Sequence, residues 1–356
     1  MERSTLNALK KCASPGRGAH KPARLAAEKV FACRESVSEL FNVGDPARVV
    51  FTQNATHALN IAIFSLAEAG DRVLISGFEH NSVTRPLYEA KADVDICGRK
   101  LFDTKAVLDD FERKIPFSKL VVCTHVSNVF GFILPIYEIA EMCGAYSVPL
   151  IVDASQSAGI LDVDFKRLNA AFVAMPGHKS LFGPQGTGIL LCRDSARPLL
   201  YGGSGSESRL KTMPDYLPER LEAGTANVCG IAGLNAGIDF VRSKGTKRIS
   251  GYEKHLSALM CSRLRDVKQI RLYESEDGNQ SGVISFAPKR GDSEGFAERL
   301  SERGICVRAG LHCAPTAHES AGTAENGTVR VSFSPFNSEG EVLRAADEIK
   351  FIAQNY

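Results

Sequence analysis

The sequence lacks the features that mark membrane, secreted or nucleic-acid-binding proteins. No window approaches 18 uninterrupted apolar residues, so no membrane-spanning helix is predicted. The first residues, MERSTLNALKKCASPGRG, contain neither the apolar segment nor the cleavage pattern of a signal peptide. The formal net charge is only +2, which gives no argument for nucleic acid or an acidic membrane as a partner.

Metal-binding and disulfide patterns are also missing. None of the ten cysteines forms a Cys-x-x-Cys pair or stands with histidines at zinc-finger spacing, so we predict no metal site. Cys123 in KLVVCTHV and Cys192 in GILLCR lie in apolar runs, which favours small buried hydrophobic residues. Free thiols scattered in this way suit a reducing compartment, and we expect a cytoplasmic protein.

Strand and helix patterns alternate from Arg48 onward. The runs RVVFTQ, DRVLIS, VDICGR, KLVVCTHV, PLIVDASQ, AFVAMP and TGILLCR predict strands, with helical patterns such as ATHALNIAIFSLAEAG between several of them. Near-continuous apolar strands that alternate with helices predict an α/β fold, with a mostly parallel sheet covered on both faces. Ligands of such sheets bind at the carboxyl ends of the strands.

The length of 356 residues exceeds one ordinary core, and two domains are expected. We predict a large domain over residues 23–244 and a smaller α+β domain over residues 245–356, in which RLYE, GVISFAP, ICVRAG and TVRVSFSPF are strands. Residues 1–22 are predicted to pack with the small domain. Residues 199–224 are rich in Gly, Ser and Pro and are too long for a mere connection, which indicates a functional or interface loop.

Polar side chains follow several of the predicted strands, and each has an ordinary alternative explanation. Asn54, Ala55 and Thr56 begin a helix, where N–H groups and the helix dipole can bind an anion such as phosphate. Asn54 alone would equally be a plain N-cap. His80 in GFEHNSV and Asn128 in THVSNVFG are residues that loops commonly contain.

The next two strand ends carry a carboxylate and an amine. Asp153 ends the very apolar PLIVDASQ, with Gln156 just beyond, and it either caps the next helix or faces a cationic ligand. His178 and Lys179 follow AFVAMP. Most lysines are solvated, but a lysine held at a strand end can be one whose amine does chemistry. A nucleotide-binding P-loop is excluded, because histidine rather than glycine precedes Lys179.

The strand ends together offer an anion cradle, an aromatic ring, an amide, a carboxylate and an amine. A cofactor with a phosphate, a flat ring, a ring nitrogen that needs a carboxylate and an aldehyde that needs a lysine matches all of them. Pyridoxal phosphate has these groups and acts as an electron sink for bound amino acids.

Seven segments then carry a resemblance to a known family. In order they are FTQNATHALN, EHNSV, SNVFG, VDASQ, GHKSLFGPQGTG, EAGTANV and RAGLHCAP. They resemble class V aminotransferase-fold enzymes, and most of all the cysteine desulfurase/selenocysteine lyase family. The resemblance covers nearly the whole chain from SPGRGAH onward and implies the PLP-dependent transferase fold of type I.

The resemblance implies roles for the residues around the cofactor ring. Lys179 resembles the lysine that binds the cofactor aldehyde, and Asp153 the residue that holds the pyridinium nitrogen. Gln156 would hold the phenolic oxygen, and His80 would stack on the ring. Asn128 would lie beside the substrate and the cofactor oxygen.

Further roles follow for the phosphate and the substrate. Thr56 and His178 would hold the phosphate. Thr225 in EAGTANV resembles a residue that reaches the phosphate of the neighbouring subunit, which implies a homodimer. Arg330 in TVRVSFSPFN resembles the arginine that pairs with the substrate carboxylate, and a guanidinium fork suits that task.

The reaction depends on one cysteine. Cys313 in RAGLHCAP resembles the persulfide-forming cysteine of the family, whereas Cys306 in ICVRAG is interpreted as a strand residue. The short separation of Cys313 from Arg330 suits the short-loop branch, whose members pass sulfur to a partner protein. His312 and His80 are both candidates for proton handling.

The resemblance therefore predicts a desulfurase that converts L-cysteine to L-alanine and supplies sulfur for iron-sulfur clusters or other thio-cofactors. Alternatives are a selenocysteine lyase or an aminotransferase of the same fold, or a non-catalytic scaffold that binds the cofactor. Family members usually carry an Asp-Asn-Ala-Ala-Thr-type segment on the substrate side, which is absent ahead of SPGRG in this sequence. Arg17 and His20 match a neighbouring motif, and Arg17 is predicted to bind substrate.

Overall fold

The computed structural model describes residues 1–16 and 18–356 of the chain. In this part the strands are β1 (Val49–Thr52), β2 (Arg72–Ser76), β3 (Asp93–Cys97), β4 (Leu120–Thr124), β5 (Leu150–Asp153), β6 (Phe172–Pro176), β7 (Gly188–Cys192), β8 (Ile270–Tyr273), β9 (Val283–Pro288) and β10 (Val329–Ser332). The helices are α1 (Glu2–Lys11), α2 (Lys21–Leu40), α3 (Ala55–Leu66), α4 (Asn81–Glu89), α5 (Thr104–Lys114), α6 (Ile136–Ala145), α7 (Phe165–Leu168), α8 (Val228–Lys244), α9 (Thr246–Leu264), α10 (Ser293–Glu302), α11 (Pro315–Ala321) and α12 (Glu339–Asn355).

The large sheet contains seven strands in the order β1-β7-β6-β5-β4-β2-β3 within the described residues. The pairs β2–β3, β2–β4, β4–β5 and β5–β6 are parallel, while β7 runs antiparallel to both of its neighbours. The predicted mostly parallel sheet is therefore confirmed. With the exception of β7, the strands end at the same edge of the sheet, so the segments that follow them lie near one another.

Both faces of this sheet are covered, as the apolar strands predict. Successive residues of a strand point to opposite faces. On β4, Leu120 and Val122 belong to the core under one face, and Val121 and Cys123 belong to the core under the other. All five residues of β4 are buried, which explains why its sequence is apolar throughout.

The smaller sheet is antiparallel, in the order β10-β9-β8. It has its own core with α9, α10 and α12. The predicted strand ICVRAG is wrong as a strand, and Cys306 is exposed outside any strand. Backbone hydrogen bonds join Arg308 to Arg330 and Gly310 to Thr328, but Gly310 has a φ of 89°, which ends the extended conformation.

The N-terminal helix is placed differently from the expectation. α1 packs along α8, which lies within residues 23–244, rather than against the small domain. The contact is close, because a Cβ atom on Gly233 of α8 would come within 2.5 Å of the Thr5 hydroxyl on α1. A glycine on the facing helix thus lets α1 approach α8.

Residues 199–224 form a long irregular connection between β7 and α8. Cys123 and Cys192 are fully buried, which confirms their interpretation as core residues. None of the helices in residues 1–16 and 18–356 combines the length and apolarity that crossing a bilayer requires.

Candidate active site

The sheet order brings the predicted strand-end residues together. β6, β5, β4 and β2 are successive neighbours in the sheet. Lys179, Asp153, Asn128 and His80 follow or end these four strands in the same order. Charge interactions act between His80, Asp153 and Lys179, which shows that these three residues share one site.

Asp153 is the last residue of β5 and is only 3% exposed. One carboxylate oxygen, Oδ1, accepts a hydrogen bond from the N–H of Ser155 at 2.9 Å. The predicted alternative role of Asp153, capping the next helix, is wrong, because a turn follows β5 and the next helix, α7, begins at Phe165. Oδ2 makes no hydrogen bond to the described residues, so Asp153 can still accept a hydrogen bond from a cationic group.

Lys179 lies in a tight turn after β6. The carbonyl oxygen of Lys179 accepts from the N–H of Phe182 at 2.9 Å. Gly159, with a φ of 94°, approaches this turn so closely that a Cβ atom would lie 2.2 Å from the Ser180 carbonyl oxygen. A glycine beyond β5 thus allows the Lys179 turn to sit against the end of Asp153's strand.

Lys179 lies among charged groups of both signs. The residue is exposed to solvent, yet many protein atoms surround its amine. Burial lowers the pKa of Lys179, and the positive charges of Arg330 and Arg308 lower it further, while Asp153 opposes them. A lowered pKa increases the share of neutral amine, which is the form that bonds an aldehyde or accepts a proton.

The anion cradle is predicted at the start of α3. Asn54 is its N-cap, with Oδ1 accepting from the N–H of His57 at 2.9 Å, so the ordinary reading of Asn54 is confirmed. Ala55 and Thr56 occupy the first two helical positions, whose N–H groups lack an intrahelical acceptor. The Thr56 hydroxyl lies 2.7 Å from the Ser82 hydroxyl.

A cleft of about 1230 Å³ opens beside this helix start. Asn54, His178 and Thr225 all line it, together with part of the long loop over residues 199–224. His178 and Thr225 are exposed on its wall. Burial and the neighbouring Lys179 lower the pKa of His178, so its imidazole is a neutral hydrogen-bonding group at neutral pH.

His80 is the N-cap of α4. Its Nδ1 accepts from the N–H of Ser82 at 3.0 Å and lies 2.9 Å from the Ser82 hydroxyl. Burial lowers the pKa of His80; Asp153 opposes this effect, and Lys179 and Arg308 add to it. Nδ1 is therefore occupied by local contacts, and Nε2 remains for a ligand.

Asn128 and Arg330 form the side of the site nearest the small domain. Arg330 Nη1 donates to the Asn128 carbonyl oxygen at 2.9 Å, and Asn128 Nδ2 donates to the His312 carbonyl oxygen at 2.9 Å. Buried Asn128 Oδ1 and Arg330 Nε have no hydrogen-bond partner among the described residues. Both atoms are therefore available to a polar ligand or a water molecule, because buried polar groups are normally satisfied.

Cys313 lies in a strained loop at the same site. His312 and Cys313 have φ angles of 53° and 56°, a left-handed conformation that costs about 1–2 kcal/mol per non-glycine residue. Arg308 Nη2 lies 3.4 Å from the exposed Cys313 sulfur, and the N–H of Asn81 donates to the Cys313 carbonyl oxygen at 2.7 Å. The thiol is thus presented to solvent beside a guanidinium group.

A class V aminotransferase family model matches residues 3–344. This chain belongs to the class V aminotransferase family. It is 32% identical to a protein of Methanothermobacter thermautotrophicus named "Probable cysteine desulfurase", over 96% of this chain and 88% of that protein. A Pyrococcus abyssi protein with the same name is 34% identical over 92% of this chain and 84% of its own length.

Solved structures agree with this class V assignment. The apo structure of a cysteine desulfurase from Thermococcus onnurineus matches with a TM-score of 0.89 and 29% identity, over 99% of this chain and 92% of that one. The predicted family resemblance and the predicted fold, the PLP-dependent transferase fold of type I, are confirmed.

The two histidines predicted for proton handling differ in this class V site. His312 is 2% exposed, and burial lowers its pKa to about 3, with the charges of Arg330 and Arg308 adding to the effect. Both of its ring nitrogens contact other groups of the chain, whereas Nε2 of His80 makes no hydrogen bond to the described residues. His80 is therefore the better placed for proton transfer.

The structure adds two residues that the sequence reading missed. Arg308 contacts Cys313, and Glu79 is a fully buried acid next to His80. Glu79 follows an apolar strand, so the rule that singled out Asp153 would also have found it. Of the remaining predicted residues, Gln156 is half-buried in the turn after β5, and Arg17 lies outside the described residues.

Proposed function

We propose that the protein is a pyridoxal phosphate-dependent cysteine desulfurase, which converts L-cysteine to L-alanine and leaves the sulfur as a persulfide on Cys313. The observation that carries the proposal is the exposed Cys313 thiol beside Arg308, whose charge also acts on Lys179 and His80. A transaminase of the same fold has no need of a thiol at this place. The relatives named as cysteine desulfurases support the same reaction.

The chemistry of the site fits pyridoxal phosphate. Asp153 is a buried carboxylate able to keep a ring nitrogen protonated, and Lys179 has the lowered pKa that an amine needs to bind an aldehyde. The unpaired N–H groups at the start of α3, with Thr56 and His178, suit a phosphate. The unpartnered Oδ1 of Asn128 provides a polar contact for the cofactor or substrate.

Bound pyridoxal phosphate supplies the electron sink that makes the Cα proton of an attached amino acid removable. Lys179 takes that proton, and Asp153 holds the proton of the ring nitrogen. Arg330 binds the substrate carboxylate with a guanidinium that burial and Arg308 hold at a pKa of about 10, still charged at neutral pH.

Cys313 then acts as the sulfur acceptor. Its thiolate attacks the sulfur of the substrate, so that an S–S bond forms and the Cβ–S bond breaks. The electron pair of the broken bond stays with the three-carbon fragment, which leaves as alanine after protonation. The sum is cysteine and enzyme thiol giving alanine and enzyme persulfide, so atoms and electrons balance.

The assembly belongs to the same proposal. We propose a cytoplasmic homodimer in which Thr225 reaches the phosphate of the neighbouring subunit, and a sulfur-acceptor protein that takes the persulfide sulfur from exposed Cys313. The sulfur would serve iron-sulfur cluster or other thio-cofactor synthesis. Supporting features are the exposed position of Thr225 on the cleft and the long loop that precedes it.

The deciding experiment is to incubate the holoprotein with L-cysteine and a reductant and to measure sulfide and alanine together. Equal amounts of both are expected, with no product from Lys179→Ala. Borohydride reduction and peptide mapping should place the pyridoxyl group on Lys179. Keto acid in place of alanine would assign an aminotransferase, and the absence of any turnover in cofactor-loaded protein would reject the proposal.

A further inference from the structure

A buried pair of histidines lies behind the Cys313 loop and has no part in the reaction above. His312 and His318 are 2% and 0% exposed, and their rings stack at 5.6 Å with an interplanar angle of 11°. His312 Nδ1 lies 3.4 Å from His318 Nε2. At the two ends of the pair, His312 Nε2 lies 3.1 Å from the Arg308 carbonyl oxygen, and His318 Nδ1 lies 2.8 Å from the Thr323 hydroxyl.

The contacts allow one continuous arrangement of protons. The Arg308 carbonyl oxygen can only accept, so His312 carries its proton on Nε2 and its Nδ1 is an acceptor. His318 can then donate from Nε2 to His312 while its Nδ1 accepts from the Thr323 hydroxyl, which also lies 3.5 Å from the His318 carbonyl oxygen. Burial lowers the pKa of His312 to about 3 and that of His318 to about 4, so both rings are neutral at neutral pH.

This chain of hydrogen bonds runs from Thr323 through both imidazoles to the backbone of Arg308. The same residue, Arg308, places its guanidinium 3.4 Å from the Cys313 sulfur. The carbonyl oxygen of His312 accepts from Asn128, and His312 adjoins Cys313 in the left-handed turn. The Thr323–His318–His312 hydrogen-bond chain therefore contacts the two residues on which the geometry of the thiol depends, Arg308 and His312.

We propose that the Thr323–His318–His312 chain positions the Cys313 thiol against the Arg308 guanidinium. His312, His318 and Thr323 are positioning residues: they hold the left-handed turn and the Arg308 backbone and exchange no proton with the substrate. The effect on turnover rests on the proposed function, whereas the effect on the thiol itself does not.

The test compares Thr323→Val with Thr323→Ser and adds His318→Phe. Valine keeps the shape of threonine but leaves His318 Nδ1 without its donor, serine keeps the hydroxyl, and phenylalanine keeps a ring without its nitrogens. The reaction of the holoprotein with iodoacetamide is followed at Cys313 by peptide mass mapping. Cys306 is the internal control, since it is the other exposed cysteine of the described residues.

We expect Cys313 to react at least threefold more slowly in Thr323→Val and His318→Phe, because the thiolate loses its fixed contact with Arg308. Thr323→Ser should react like the unchanged protein, and Cys306 should react at the same rate in all proteins. For sulfide release, kcat should fall with the alkylation rate, while KM for cysteine should change less than twofold.

Equal Cys313 rates in the unchanged protein and in Thr323→Val would overturn the inference, as would an equal loss in Thr323→Ser. If His318→Phe does not fold, the threonine pair decides alone. If the alkylation rates differ as expected while the unchanged protein releases no sulfide, the positioning role stands and the proposed function fails.

Discussion

Replacement of Glu79 by glutamine should change how the stability of the protein depends on pH. Glu79 is fully buried between β2 and His80, and its Oε1 accepts hydrogen bonds from the Ser76 hydroxyl and the Thr124 N–H. Oε2 has no partner among the described residues. Burial raises the pKa of Glu79 to about 8; the two hydrogen bonds oppose this rise, and the negative charge of Asp153 adds to it.

The sign follows from proton binding. Between pH 4.5 and about 8 the folded protein holds the Glu79 proton, while the unfolded chain has released it. The stabilisation that the protonated carboxyl provides is therefore complete below pH 4.5 and is lost as the pH rises to about 8. At about 1.4 kcal/mol per pH unit, the whole window corresponds to roughly 5 kcal/mol in the free energy of unfolding.

Glutamine is matched to the protonated acid in shape and charge and does not titrate. Urea unfolding of the apoprotein and of Glu79→Gln should give similar free energies at pH 5 and a growing advantage for the variant up to pH 8. Glu253→Gln is a suitable control, because burial raises the pKa of Glu253 to about 7 in the small domain, away from Asp153. The advantage of Glu253→Gln over the unchanged protein in free energy of unfolding should stop growing near pH 7.

Parallel stability curves for the unchanged protein and Glu79→Gln would refute the reasoning, since they would mean that Glu79 is ionised in the folded state. An infrared band of a protonated carboxylic acid at pH 6.5 that disappears in Glu79→Gln would support it independently. A neutral Glu79 would also leave Asp153 as the carboxylate available to the proposed cofactor.

Three further predictions concern the site and its supports. Cys313→Ser should abolish sulfide release from cysteine, because a hydroxyl at neutral pH is a far poorer nucleophile toward sulfur, yet the cofactor absorption spectrum should be kept. Full activity of the variant would mean that Cys313 is an ordinary loop residue. If Thr225 acts across the dimer, a mixed dimer of Lys179→Ala and Thr225→Ala chains should carry both substitutions in one site and keep the other site intact. Titration of active sites would find no intact site if Thr225 acts within its own chain. Gly159→Ala should lower the free energy of unfolding by about 2 kcal/mol or more, since a residue in the left-handed conformation gains a Cβ atom that meets the Ser180 carbonyl oxygen. An unchanged midpoint of urea unfolding would contradict this close approach.

Much of the fold could be predicted from local pattern. Strands buried on both faces are apolar along their whole length, so the apolar runs of β4 and β6 predicted strands. Helices were predicted from apolar residues that recur at helical spacing. The strand prediction for ICVRAG failed because an apolar run does not show whether a neighbouring strand can pair with it: Arg308 and Gly310 bond to Arg330 and Thr328, but no such bonds join residues 305–307 to that strand within the described residues. The place of α1 likewise depends on a contact distant in sequence, since Gly233 of α8 has no side chain to keep Thr5 of α1 away.

The sequence by itself determined the family and the candidate residues of the site, because Asp153, Lys179 and Cys313 stand in segments whose order and residue types are those of one family. Only the tertiary structure decided what surrounds them. It showed that His312 is buried and neutral while His80 keeps a free nitrogen, and that Arg308 lies against Cys313. The physical reason is that burial, pKa and hydrogen-bond partners are set by atoms distant in sequence, which meet only when the sheet order and the small domain have brought them together.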